Sequence, residues 1–131
     1  MTNKWRNIVG NAREKYKKMQ PVACPAFGGE LVYFNKHGFN HLIRKGRRFR
    51  KIDVQIDRIQ LIGTAIDTLQ RSSTVYRYRK VNTVKSVMQF WAFEDDLIID
   101  NKKVSIIVVV RKMNNGKIHF FSIFKRKHKT P

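Results

Sequence analysis

The sequence has one cysteine, few acidic residues and no long apolar run. The single cysteine, Cys24, excludes an internal disulfide bond and any zinc site built on several cysteines. The longest strand-like apolar run, residues 106–110, is far shorter than the roughly 20 residues of a membrane helix. The beginning of the chain, MTNKWRNIVG, lacks the apolar centre of a secretory signal. We therefore expect one soluble, cytoplasmic domain with no membrane segment.

The scarcity of acidic residues leaves a large positive charge. The chain of 131 residues has 28 Lys and Arg against 9 Asp and Glu, a net charge of +19. Such an excess repels itself in the folded state, so it indicates a polyanionic partner. RNA, DNA, an anionic membrane surface and an acidic protein all fit. A disordered basic tail does not, because 42% of the residues are hydrophobic.

Hydrophobic periodicity predicts helices first and strands afterwards. The predicted helices are an amphipathic helix or arm over residues 1–20, a histidine-containing helix that Gly46 ends or loosens, and a stronger helix over residues 52–71. β-Branched and aromatic residues then predict strands over residues 74–81, 86–93, 103–113 and 117–124. This order predicts an α+β fold, with N-terminal helices packed on a four-stranded antiparallel sheet. We expect a single domain over residues 21–125, which begins with a linker over 21–30, and a basic tail over 126–131.

The stretch FNKHGFNHLIRKGRRFRK combines an apolar stripe with histidines and cations. At 100° per residue, Phe39, Leu42 and Ile43 fall on one side of a helix. Four basic side chains cluster on the opposite side: His37, His41, Arg44 and Arg48. In the next helix Arg58 points into the apolar arc, where a buried cation needs a partner.

The sequence NNG between the last two strands predicts a tight hairpin. With Asn115 and Gly116 at its centre, Val109 lies opposite Ser122, Val110 opposite Phe121, and Arg111 opposite Phe120. One face then packs on the helices, with Val104, Ile106, Val108, Val110, Phe121 and Ile123. On this register His119 also faces the core, whereas Arg111 and Ser122 lie on the other face and are suited to bind phosphate.

These motifs resemble small nucleases of the barnase–EndoU–colicin–RelE (BECR) superfamily. The resemblance covers residues 30–125 and is carried by FNKHGFNHLIRKG, QFWAF, IIVVVRK and KIHFFSI. It implies a metal-independent ribonuclease without a cofactor, often a toxin that an acidic antitoxin or immunity protein holds in check. The residues that it implies for catalysis are His41, Arg58, Arg111, His119 and Ser122. No Glu stands where barnase-like members have their general base, so the assignment of base and acid stays open.

The residue types fit the chemistry of RNA cleavage. A base must take the 2′-hydroxyl proton and an acid must protonate the 5′-oxygen, and histidine suits both tasks. Cations stabilise the charge on phosphorus, arginine through paired hydrogen bonds. We expect the nucleic acid to be bound by Arg44, Lys45, Arg48, Arg50, Tyr76 and Arg79.

Other interpretations of the same residues stay open. His41 is also explained as a surface histidine in a basic run. A metal site at His37 and His41 is disfavoured, because no Glu accompanies them and the neighbouring cations repel a divalent ion. The chain as a whole also fits a non-catalytic RNA- or DNA-binding module, or a structural protein such as a ribosome-associated factor.

Overall fold

The computed structural model describes residues 3–126. Its helices are α1 (Asn3–Lys17), α2 (Lys36–Ile43), α3 (Ile52–Gln60) and α4 (Ile62–Arg71), with a short 3-10 helix at Pro25–Phe27. Its strands are β1 (Val22–Ala23), β2 (Leu31–Tyr33), β3 (Arg44–Lys45), β4 (Arg48–Phe49), β5 (Arg77–Asn82), β6 (Val87–Ile99), β7 (Lys102–Met113) and β8 (Ile118–Lys125). The predicted α+β class is confirmed. No helix within these residues is long and apolar enough to cross a membrane. The predicted basic tail lies, apart from Arg126, outside the described residues.

The sheet is larger than predicted and is mixed. Its strand order is β1-β2-β8-β7-β6-β5, and β2 runs parallel to β8. The four predicted strands are present as the antiparallel neighbours β5 to β8. The prediction of a four-stranded antiparallel sheet is nevertheless wrong, because β1 and β2 extend it. β2 pairs with β8 at Ile118 and His119 and so provides hydrogen-bond partners for an edge that would otherwise be open.

The two predicted inner helices are shorter than their patterns suggested. α2 ends at Ile43, and the chain then forms the hairpin β3–β4, which turns at Gly46 with a positive φ of 63°. Arg44 and Arg48 therefore lie on strands, and the prediction that they share a helix face with His41 is wrong. The predicted helix over 52–71 is broken at Leu61, whose N–H bonds to the carbonyl of Arg58, 3.1 Å away, as in a tighter 3-10 turn.

Strand β6 continues six residues beyond the predicted end, through three consecutive acidic residues. Each of these acids has a partner: Glu94 pairs with Arg126, Asp95 with Arg71, and Asp96 with Lys103. Asp95 also accepts a hydrogen bond from the buried hydroxyl of Thr68. Specific partners thus hold in the sheet a segment whose composition disfavours strands.

The core lies between one face of the sheet and the helices. Val108, Val110, Phe120 and Ile123 are fully buried from the sheet side, facing the likewise buried Phe39, Leu42, Ala65 and Leu69 of α2 and α4. α1 adds Val9 and Tyr16 to the same cluster. The Tyr16 hydroxyl donates to the carbonyl of Asn35, 2.6 Å away, and so fixes α1 to the start of α2.

A β-bulge in β8 changes the predicted register. Val109 pairs with Ser122, as predicted, but the next pairs are Val110 with Phe120 and Arg111 with His119. Phe121 is the extra residue of the bulge. The predicted pairs of Val110 with Phe121 and Arg111 with Phe120 are therefore wrong: Phe120 takes the core position expected of Phe121, and Phe121 lies on the opposite face.

Gly38 allows α2 to lie directly on β8. A Cβ atom at this position would collide with the carbonyl oxygen of Phe120 and would lie 2.6 Å from the Tyr16 hydroxyl. The side chain of Asn35 caps the helix by accepting a hydrogen bond from the Gly38 N–H at 3.3 Å. The close packing that Gly38 allows therefore determines how near His41 lies to β8.

We predict that Gly38→Ala lowers the free energy of unfolding by about 1–3 kcal/mol, because α2 must move away from β8. The matched control is Gly10→Ala in α1, where an added Cβ meets nothing within 4 Å. That variant should raise stability by about 0.5–1 kcal/mol through helix propensity. Chemical denaturation of both variants measures the difference. A stabilised Gly38→Ala protein would contradict the packing described here.

Candidate functional site

The face of the sheet opposite the core forms one wall of a cleft of about 390 Å³, which we call the basic cleft. Residues 41–58 form the other wall. The basic cleft is lined by His41, Lys45, Arg50, Arg58, Arg77, Tyr78, Arg79, Phe90, Ala92, Val109, Phe121, Ser122 and Phe124. Five of these are Lys or Arg, and no described Asp or Glu is among them. The basic cleft therefore combines positive charge with aromatic surface.

His41 is held at one end of the basic cleft by Arg50. The guanidinium donates from Nε to the His41 carbonyl oxygen at 3.0 Å and from Nη2 to the ring Nδ1 at 3.1 Å. The ring also meets Phe121 edge-on, with centroids 4.4 Å apart. Arg50 is itself anchored, since the buried Gln55 donates to its carbonyl at 2.7 Å and accepts from Trp5 Nε1 at 3.1 Å. This chain of hydrogen bonds connects α1 to the site.

The contact with Arg50 fixes the protonation of His41. A guanidinium only donates hydrogen bonds, so Nδ1 must be the acceptor and the ring proton lies on Nε2. Burial lowers the pKa of His41 from 6.5 to about 4, and the charges of Arg50, Arg58 and Arg111 act in the same direction. His41 is therefore a neutral ring surrounded by cations.

Arg58 reaches across the basic cleft to the sheet. It donates from Nη1 to the hydroxyl of Ser122 at 3.0 Å, and its guanidinium lies 5.5 Å from the centroid of the Phe124 ring. Burial lowers its pKa to about 10, with the charge of Arg50 adding to the effect and that of Asp57 opposing it. The partner expected for this cation is thus a hydroxyl group, and no salt bridge to Arg58 forms within residues 3–126.

Arg111 and His119 are direct neighbours across β7 and β8. Arg111 donates from Nε to His119 Nε2 at 3.2 Å, and its guanidinium lies 4.8 Å from the centroid of Phe121. The prediction that His119 faces the core is wrong, because the bulge turns it to the side of Phe121 and Ser122. Burial lowers the pKa of His119, while a hydrogen bond with the backbone of Lys117 opposes this shift. His119 is itself buried, and it holds Arg111 in place.

The three arginines around His41 share one arrangement. Arg50 donates to His41, Arg58 to Ser122 and Arg111 to His119, so each guanidinium is held by a neutral acceptor. Burial lowers the pKa of all three. Within the described chain these partly desolvated cations have no carboxylate partners. Their arrangement is energetically unfavourable by itself and becomes favourable when an anion binds among them. The site is suited to bind phosphate.

The structure places the residues predicted to bind nucleic acid in three locations. Lys45, Arg50 and Arg79 line the basic cleft. Arg44 lies in the adjoining groove beside His41, where its guanidinium stacks 4.2 Å from the centroid of Phe49. The other two predicted residues line neither the basic cleft nor this groove. These are Arg48, exposed on β4, and Tyr76, which lies between the guanidinium groups of Arg77 and Arg126.

Sequence reasoning missed Arg77, Phe90, Phe121 and Phe124. Alternation along YRYRK could have placed Arg77 on the face of Arg79, since both follow a period of two. Phe90 pairs with Arg79 across the strands and would have followed from the same register. Phe124 would have followed from its spacing of two residues from Ser122. Phe121 depends on the bulge, which no residue pattern in β8 indicates.

Within the described residues, no group of three or more His, Cys, Asp or Glu side chains could hold a metal ion. Comparison with protein-family models, with curated protein sequences and with solved structures finds no match. The resemblance to the BECR superfamily therefore stays a prediction from short motifs.

The lowered pKa of His41 predicts a specific loss of stability in acid. As pH falls from 6.5 towards 4, the unfolded chain takes up a proton that the folded ring refuses, so the free energy of unfolding falls in this window. The contribution is on the order of 2 kcal/mol. His41→Asn keeps an acceptor for Arg50 but does not titrate. Denaturation at about pH 7 and about pH 4.5 should therefore show a smaller acid loss in His41→Asn than in the wild type. Equal losses would contradict this assignment.

Proposed function

We propose that the chain is a metal-independent ribonuclease that cleaves RNA by attack of a 2′-hydroxyl group on the adjacent phosphate. The observation that carries the proposal is the neutral ring of His41 among three guanidinium groups. The arginines can bind the phosphate and stabilise the charge of the transition state. Ser122 and His119 position Arg58 and Arg111. We also propose that the protein acts in the cytoplasm.

The proton transfers follow from the hydrogen bonds of the site. An incoming phosphate competes with His41 Nδ1 for the Arg50 guanidinium, because a charged acceptor binds it more strongly than a neutral one. Once Arg50 turns to the phosphate, Nδ1 is free to take the 2′-hydroxyl proton. The oxygen attacks phosphorus and the bond to the 5′-oxygen breaks. We assign the proton for that oxygen to Lys45, the one ammonium group among the described lining residues of the basic cleft.

One observation favours the alternative, a non-catalytic RNA- or DNA-binding module. Without a ligand, Nδ1 of His41 accepts from Arg50 and Nε2 carries the proton, so the ring has no free lone pair. A binding module needs only the cations and aromatic rings of the basic cleft. Cleavage activity distinguishes the two functions.

We predict that the purified protein cleaves RNA in excess EDTA and leaves 2′,3′-cyclic phosphate ends. His41→Ala should lose about 10²- to 10⁴-fold in rate while its affinity for RNA is retained. His41→Asn should lose the same activity although it preserves the bond to Arg50, and Lys18→Gln, at an exposed position just beyond α1, serves as the active control. Product ends are mapped by gel and mass spectrometry. Full activity of His41→Asn would show that His41 does not transfer the proton. If the wild type cleaves no RNA, the non-catalytic binding module is the function that fits.

A ribonuclease of this kind in a cell needs an inhibitor, and we propose an acidic antitoxin or immunity protein that covers the basic cleft. The uncompensated cations there would speed its association. Expression of the wild type alone should therefore arrest growth, whereas His41→Ala at the same level should not. Normal growth with well-folded wild-type protein at that level would argue against a toxin.

A further inference from the structure

Two further depressions lie beyond His41, beside the basic cleft. A side groove of about 370 Å³ is lined by His37, Asn40, His41, Arg44, Gly46, Arg111 and Phe121. A helix groove of about 560 Å³ is lined by Trp5, Arg6, Val9, Gly10, Arg13, Asn40, Ile43, Arg44 and Phe49. The basic cleft shares His41 and Phe121 with the side groove, which shares Asn40 and Arg44 with the helix groove. Neighbouring depressions therefore meet at shared residues, and we call the three together the track.

The track is cationic throughout its described length. Beyond the five cations of the basic cleft, Arg44 and Arg111 line the side groove, and Arg6 and Arg13 of α1 line the helix groove. No described Asp or Glu lines any of the three. The acidic side chains of β6 are elsewhere, paired with Arg71, Lys103 and Arg126. A single phosphate would occupy only part of such a track, so the charge fits a longer polyanion.

Aromatic rings accompany the cations at both ends. The basic cleft offers Phe90, Phe121 and Phe124, and the helix groove offers Trp5 and Phe49. Phe49 is 51% exposed, so its ring is accessible. Rings interleaved with cations bind unpaired bases by stacking, which a duplex cannot offer because its bases are stacked on each other.

We propose that the track binds an extended single strand of RNA, which runs from the basic cleft past His41 into the groove between α1 and α2. Arg6 and Arg13 then contact phosphates several nucleotides from the cleavage site. The choice of RNA rests on the proposed function. The path of the strand rests on the shared lining residues and their charge.

The test measures the binding of a short and a long strand to two variants that each lose one positive charge. Uncleavable 2′-O-methyl RNA strands of two and of ten nucleotides are titrated by fluorescence anisotropy against the wild type, Arg6→Gln and Lys18→Gln. Lys18 is an exposed cation just beyond α1 and lines none of the three depressions. Arg6→Gln should weaken binding of the longer strand about 3- to 10-fold and reduce the salt slope by about 0.7. It should leave the dinucleotide unchanged, and Lys18→Gln should change neither.

Three results would overturn the track. These are equal effects of Arg6→Gln on both lengths, equal effects of Arg6→Gln and Lys18→Gln, and a duplex that binds as tightly as the longer strand with the same dependence on Arg6. The cleavage assay separates this proposal from the proposed function. Length-dependent binding without cleavage supports the track and refutes the ribonuclease. Cleavage without length-dependent binding supports the ribonuclease and refutes the track.

Discussion

The bulge at Phe121 is the constraint on which the site depends. Side chains of a regular strand alternate between faces, so His119 and Ser122 would lie on opposite sides of an unbroken β8. The extra residue removes this conflict and brings both to the face of the basic cleft. His119 then reaches Arg111, Ser122 reaches Arg58, and the ring of Phe121 supports His41. A strand without the bulge would leave Arg111 without its acceptor.

The neutral acceptors of the three arginines decide what the site can bind. A carboxylate beside each guanidinium would offset its desolvation, but it would also neutralise the charge that attracts an anion. No acid is among the described lining residues of the basic cleft, and Asp57, the neighbour of Arg58 in sequence, pairs with Lys125. Ser122 and the two histidines fix the orientation of the guanidinium groups without cancelling their charge. Partial burial of these cations lowers the stability of the folded protein, and binding of a polyanion would restore it. This is the behaviour expected of a binding site built from partly buried cations.

The sequence predicted the order of the helices and the four C-terminal strands, and the resemblance named His41, Arg58, Arg111, His119 and Ser122 together. Neither predicted how these parts are connected. Val109 lies opposite Ser122 as predicted only because the bulge offsets a difference of one residue nearer the turn, where Arg111 pairs with His119 and not with Phe120. The bulge, the break at Leu61 and the pairing of β2 with β8 arise from tertiary contacts that no local pattern encodes. Arg44 was misplaced for a related reason: a helical pattern continued through residues 44–48, and Gly46 allowed a hairpin there instead. The acidic residues of β6 hid the C-terminal part of this strand from the sequence analysis, because their partners Arg71 and Arg126 are distant in sequence.

In the proposed mechanism, the pairing of Arg50 with His41 connects binding of an anion to proton transfer. In the free site the guanidinium occupies the lone pair of Nδ1, and burial together with three positive charges keeps the ring neutral. A bound phosphate would offset those charges and draw Arg50 away, which frees Nδ1 and raises the affinity of the ring for a proton at the same time. A base that becomes available only when the phosphate is bound needs no carboxylate to activate it. The absence of a Glu from the described lining of the basic cleft is thus compatible with catalysis, because the substrate itself supplies the negative charge that the site lacks.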